Sequence, residues 1–95
     1  SEDSIEVAEP LYRGGDAERN IPACLACHGP SGKGNAAAGW PHIGSQHAAY
    51  LATALKAYRA GERNSSANGQ MMTEVAQELT DAEIEALAGY VAGLQ

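Results

Sequence analysis

The sequence predicts an all-α domain of four to five helices, and three observations predict it. Apolar residues recur at spacings of three and four in several separate stretches. No stretch shows the period-two alternation of a half-buried strand. Gly and Pro mark the breaks between the periodic stretches. Ninety-five residues are enough for one domain and no more, so the whole chain, 1–95, is read as a single domain, with 1–4 expected as a flexible end.

The elements follow in order. Over residues 4–13, Ile5, Ala8, Leu11 and Tyr12 fall on one helical face, and Gly14-Gly15 stops the run. Ile21 to Cys27 reads as a short second helix with Pro22 in its first turn, where a missing N–H costs nothing. From His28 to Ser45 no period is sustained, and Gly29, Pro30, Gly32, Gly34, Gly39, Pro41 and Gly44 predict a long loop. A loop of that length in so small a domain usually surrounds something functional. Residues 46–60 form the next helix, through His47, Leu51, Leu55 and Tyr58, closed by Gly61. The polar run 62–69 predicts a turn, and Met71-Met72 opens one or two further helical turns. The final helix is the clearest. Thr80 and Glu83 match a capping box, and Ile84, Leu87, Ala88, Val91 and Leu94 form one apolar stripe.

Composition narrows the function. The chain has no Phe and few large apolar side chains, so a bulky bound group would help to fill its core. Twelve acidic against six basic residues give a net charge of −6, which opposes nucleic-acid binding and favours a basic docking face on any charged protein partner. Lys56, Arg59 and Arg63 lie at helical spacings and read first as a solvated face. No run of about 20 apolar residues is present, so no membrane-spanning helix is predicted.

Cys24-Leu25-Ala26-Cys27-His28 decides the chemistry. It spells C-x-x-C-H, the signature of covalent c-type haem attachment. Cysteines three apart lie on one side of a helical turn, where both sulfurs can reach the vinyl groups of one porphyrin edge. The next residue then presents its imidazole to the iron. A zinc site would need two more ligands, for which only His42 and His47 are available. A disulfide or thiol-exchange site leaves His28 without a role. One haem c is therefore expected, bonded through Cys24 and Cys27 and ligated by His28. Such haems are attached outside the cytoplasm in bacteria, so a removed signal peptide and a periplasmic location are expected. The ligand opposite His28 decides function. Met71, Met72, His42, His47 and a lysine are the candidates. A methionine is favoured, because both Met residues stand together after a polar loop, some way beyond the haem motif.

The order of CLACHG, PSGKGN, WPHIG, QHAAYL, GER and MM followed by LTDAEIEALAGYVAGL resembles class I c-type cytochromes over most of the chain. LYRGG, IPACLACHG, QHAAYL and the double Met resemble, more narrowly, the C-terminal haem domain of the dihaem cytochrome c-four group. The resemblance implies a small class I cytochrome c fold wrapped around one haem. It implies Met72 as the axial methionine, and Pro41 as the carbonyl that holds the far nitrogen of His28. It implies that the first and last helices cross, with Leu11 and Tyr12 near Leu87, Tyr90 and Val91. Trp40, Tyr50 and Arg63 would contact the haem edge or propionates. A single C-x-x-C-H departs from the dihaem pattern, as do Ser45, where relatives often carry Gly, and Asn64-Ser65-Ser66, where they carry an Asn-Asp pair. The implied function is one-electron transfer without catalysis: a monomeric periplasmic carrier, fed by a quinol-oxidising complex and discharging to a haem–copper oxidase or another periplasmic reductase. The alternatives are a haem domain of a larger redox enzyme or dihaem cytochrome, and a haem gas sensor or peroxidase.

Overall fold

The computed structural model describes residues 2–94, with side chains from residue 5 onward. Its helices are α1 (Glu2–Gly14), α2 (Leu25–His28), α3 (Ala48–Arg59), α4 (Ala67–Ala76) and α5 (Asp81–Ala92). Two 3-10 turns, Ala17–Arg19 and Ala36–Ala38, lie between them, and no strand occurs among the described residues. The expected flexible end at 1–4 falls on Ser1, outside the described residues, and on the first turn of α1, of which only the backbone is described.

Helices α1 and α5 make the largest contact, α3 packs on α5, and α4 packs on α3. Ala8, Leu11 and Tyr12 of α1 meet Ile84, Leu87, Ala88 and Val91 of α5 in the core, as the 3.6-residue period requires. The Tyr12 and Tyr90 rings stand 5.5 Å apart, tilted by 54°, at this crossing. Ile5, which shares the periodic face, is half exposed. The capping box forms: Thr80 N donates to Glu83 Oε1 at 2.9 Å and Glu83 N to Thr80 Oγ1 at 3.1 Å.

Four expectations change. Helix α2 is a single turn that starts after Cys24, so Pro22 precedes it. Residues 28–45 are ordered by backbone hydrogen bonds: Asn35 and Trp40 exchange N–H and carbonyl at 2.8 and 2.9 Å, and Ile43 N donates to Gly32 O at 2.7 Å. Helix α4 begins at Ala67, inside the predicted turn, because Ser66 caps it by accepting from Gly69 N at 3.0 Å. Lys56 and Arg59 form no merely solvated stripe. They pair with Glu85 at 2.9 Å and Asp81 at 2.5 Å, making a charged seam between α3 and α5. These pairs raise the Lys56 pKa and lower that of Asp81, through the hydrogen bond each makes.

Candidate functional site

The turn at α2 is where the haem motif becomes geometry. His28 N bonds to Cys24 O at 2.9 Å and Gly29 N to Leu25 O at 2.8 Å, so Cys24, Cys27 and His28 sit at positions i, i+3 and i+4 of one turn. All three line one cavity, whereas Leu25 packs against the hydrophobic core. Both cysteines are free thiols. Burial pushes the Cys24 thiol up to about 11. That shift is away from the thiolate that attacks a disulfide, so Cys24 is not built as an exchanging thiol. Among the described residues no three His, Cys, Asp or Glu side chains gather as metal ligands, so the zinc reading finds no site.

His28 is buried, and its Nδ1 lies 2.9 Å from Pro41 O. A carbonyl oxygen only accepts, so Nδ1 carries the proton and Nε2 keeps its lone pair for a ligand. The loop is shaped to bring this carbonyl in. Gly34 N donates to His28 O at 2.9 Å, and Gly34 has a φ of +71°. A Cβ there would collide with the carbonyl oxygens of Trp40 and Pro41, so the close approach requires glycine. Behind His28, Tyr12 Oη donates to Gly29 O at 2.6 Å. Burial chiefly raises the Tyr12 pKa to about 12, which keeps the hydroxyl a donor.

The cavity measures about 950 Å³, at the upper end of the range of about 300–1,000 Å³ in which proteins enclose cofactors. Its walls include Ile43, Leu51, Leu55, Leu79, Leu87 and Val91 beside the motif residues. Trp40, Pro41, Tyr50, Arg63, Met71 and Met72 also line it, so the structure brings together every predicted site residue. Tyr50 is 58% exposed, which places it at the mouth. The Arg63 guanidinium stacks 4.7 Å from the Tyr58 ring centre, at the same rim. His42 is an exposed lining residue, and His47 is the residue preceding α3.

The two methionines differ. Met71 is 44% exposed and also lines an adjoining groove of about 770 Å³ with Gly14, Ala17 and Glu78. Met72 is half-buried and lines only the large cavity. His28 and Met72 thus share a cavity while standing on α2 and α4, helices that do not pack against each other. Two free thiols, a buried imidazole with a bare nitrogen, a thioether and an apolar enclosure of this size fit a covalently held haem. Sequence reasoning missed Tyr12 and Asn68 at this site. Tyr12 bonds to the haem-motif turn, and Asn68 lines the cavity. Neither signals its partner, because those partners are backbone carbonyls far away in sequence.

Comparison with known proteins agrees with this geometry. The family model for cytochrome c matches residues 18–95. Cytochrome c4 of Stutzerimonas stutzeri is 45% identical over 86 residues, 90% of this chain and 41% of that protein. A thiosulfate dehydrogenase electron acceptor of Stutzerimonas stutzeri (strain A1501) is 40% identical over 99% of this chain and 43% of its own length. Cytochrome c-554(548) of Halomonas halodenitrificans is 43% identical over 80% of this chain and 93% of its own length. The crystal structure of reduced recombinant cytochrome c4 from Pseudomonas stutzeri superposes with a TM-score of 0.92 at 42% identity, covering 100% of this chain and 50% of that one. The chain spans less than half the length of the cytochrome c4 relatives it matches. With the family match covering most of its length and the cytochrome c4 fold reproduced throughout, the chain belongs to the cytochrome c family and is a covalent haem c protein.

Proposed function

We propose that this chain is a one-electron carrier in which Cys24 and Cys27 hold the haem through thioether bonds and His28 and Met72 supply the two axial ligands. The observation that carries this reading is the meeting of His28 and Met72 in one cavity from helices that do not touch. Haem c supplies a ferric–ferrous couple when bound. The Pro41 carbonyl fixes the His28 tautomer and makes its free nitrogen more basic. The Met72 thioether is a soft, neutral donor that favours the reduced metal, so the potential stands above that of a bis-histidine site. With His28 and Met72 both holding the iron, no position would be left on it for a substrate, which fits a carrier rather than an enzyme. Leu51, Leu55, Leu87 and Val91 give the cavity its apolar wall, and Trp40, Tyr50 and Arg63, which line it too, would contact the ring edge or its propionates.

The proposed setting is the bacterial periplasm, reached with a signal peptide that is later removed, and the proposed state is a monomer. The net charge of −6 favours partners that dock through a basic face. A quinol-oxidising complex as donor and a haem–copper oxidase or other periplasmic reductase as acceptor fit that setting. The relative named as a thiosulfate dehydrogenase electron acceptor supports a second class of donor, a dehydrogenase that oxidises sulfur compounds. Coverage of less than half of cytochrome c4 supports the alternative that the same chemistry serves as one haem domain of a longer protein. Carbon monoxide tests the carrier reading against a gas sensor or peroxidase. The reduced holoprotein is expected to keep its spectrum under the gas. A prompt shift of the Soret band would reveal an open position and overturn the carrier reading.

A further inference from the structure

Asn68 occupies a position that the carrier reading does not use. It stands in the first turn of α4, four residues before Met72, so both side chains lie on one face of that helix, and both line the cavity. Its Nδ2 donates to Ala38 O at 3.2 Å and to Gly39 O at 3.4 Å. Those carbonyls belong to the end of the 3-10 turn Ala36–Ala38, where the turn leaves its last acceptors without internal donors. Both neighbours are acceptors, which fixes the nitrogen of the amide towards them. Among the described residues no other side-chain hydrogen bond joins α4 to this loop. Trp40 and Pro41 follow directly in the chain, and Pro41 holds His28.

The loop is built to receive this amide. Asn35 opens the 3-10 turn by accepting from Ala38 N at 3.3 Å, and Gly39 closes it in the left-handed region at φ +77°. A Cβ at Gly39 would stand 2.6 Å from Asn68 Nδ2, so the approach depends on glycine. At the other end, Ser66 caps α4 and Thr73 Oγ1 donates to Gly69 O at 3.0 Å. Among the described residues, every side-chain hydrogen bond from the helix that carries Met72 to this loop comes from Asn68.

We infer that Asn68 is a positioning residue: it latches the Met72 helix to the loop that holds His28, and so controls how readily Met72 gives way to an outside ligand. The inference rests on the proposed ligation by Met72. A ligand that binds only the open form has an apparent affinity proportional to the open fraction. Loss of the latch raises that fraction without touching either axial side chain.

The test is imidazole titration of the ferric holoprotein, with amide hydrogen exchange on the same samples. Asn68→Ala removes the donor, and Asn68→Asp keeps the shape while placing acceptors against the two carbonyls. Both are expected to bind imidazole about fivefold more tightly than the parent, the factor that one hydrogen bond of ordinary net strength represents. Exchange is expected to rise together in residues 36–40 and 67–72, and to stay unchanged in the α1–α5 core. Unchanged imidazole affinity in a parent that shows iron–thioether absorption would overturn the latch. So would a lower unfolding temperature with no rise in exchange at 36–40, which marks a merely structural residue. A parent lacking the thioether absorption would sink the axial assignment instead, and the exchange pattern alone would then decide on the latch.

Discussion

The Tyr12 hydroxyl donates to the Gly29 carbonyl at 2.6 Å, joining the first helix to the residue that follows the haem-motif histidine. Its ring is completely buried against α5, so one side chain ties the α1–α5 crossing to the turn that presents His28. Tyr12→Phe keeps the ring and deletes only the donor. It is expected to lower unfolding free energy by about 1 kcal/mol, as for one buried neutral hydrogen bond. Burial, with smaller contributions from Cys24 and Tyr90, raises the Tyr12 pKa from 10.0 to about 12. A raised pKa means that the bond stabilises fully below the ordinary value and is lost as pH rises through about 12. Because Phe does not titrate, the parent's advantage should shrink once pH passes the ordinary tyrosine value and reverse by about 12, and a constant gap would contradict the assignment.

Glu83 serves two partners at once. Its carboxylate accepts from Arg19 at 2.6 and 2.8 Å and from Thr80 N at 2.9 Å. The hydrogen bond from Arg19 is the main cause that holds the Glu83 pKa down, from 4.5 to about 2. A depressed carboxylate stabilises the fold above its ordinary value and loses that contribution as pH falls towards about 2. Glu83→Gln retains the capping box and removes the ion pair, since Gln serves at that position. Solvent screening limits the expected loss at neutral pH to about 1 kcal/mol, the upper end for a partly exposed pair. Acid titrations of stability should show the parent and variant curves meeting near the Glu83 pKa. A gap that persists there would mean that the ion pair is not what Gln removes.

Gly34→Ala is expected to be far more damaging than an ordinary loop substitution. The new Cβ meets the Trp40 and Pro41 carbonyls, and the φ of +71° disfavours any side chain. A loss of about 2–4 kcal/mol is expected from strain and collision together. Because the displaced carbonyl is the acceptor for His28, the holoprotein should also show an altered imidazole proton signal and a shifted potential. Unchanged stability would mean that the loop relaxes freely and does not position Pro41.

Much of this was readable in the residues, and the reasons differ by element. The amphipathic stripes of α1, α3 and α5 bury Ala8, Leu11, Tyr12, Leu51, Ile84, Leu87, Ala88 and Val91 as their periods predict, with Ile5 and His47 left exposed at the ends, because long helices write their packing into spacing. The haem motif was equally legible, since one turn brings its three side chains together without distant help. The loop 28–45 was not, because its order comes from backbone bonds such as Asn35 with Trp40, which leave no side-chain pattern. The 3-10 turn Ala36–Ala38 is three alanines, too short to show a period. The Ser66 cap was obscured by Gly69 in the first turn of α4, a residue that reads as a turn former. Pairings such as Arg19 with Glu83, 64 residues apart, depend on the finished fold.

Near-infrared absorption of the ferric holoprotein reports whether Met72 ligates the iron. The weak band of iron–thioether coordination should be present in the parent, persist in Met71→Leu and vanish in Met72→Leu. Met72→His should in addition lower the potential by on the order of hundreds of millivolts, within the roughly 0.8 V that axial ligands span. Loss of the band in Met71→Leu, with Met72→Leu unaffected, would move the ligand to the more exposed methionine and contradict the account.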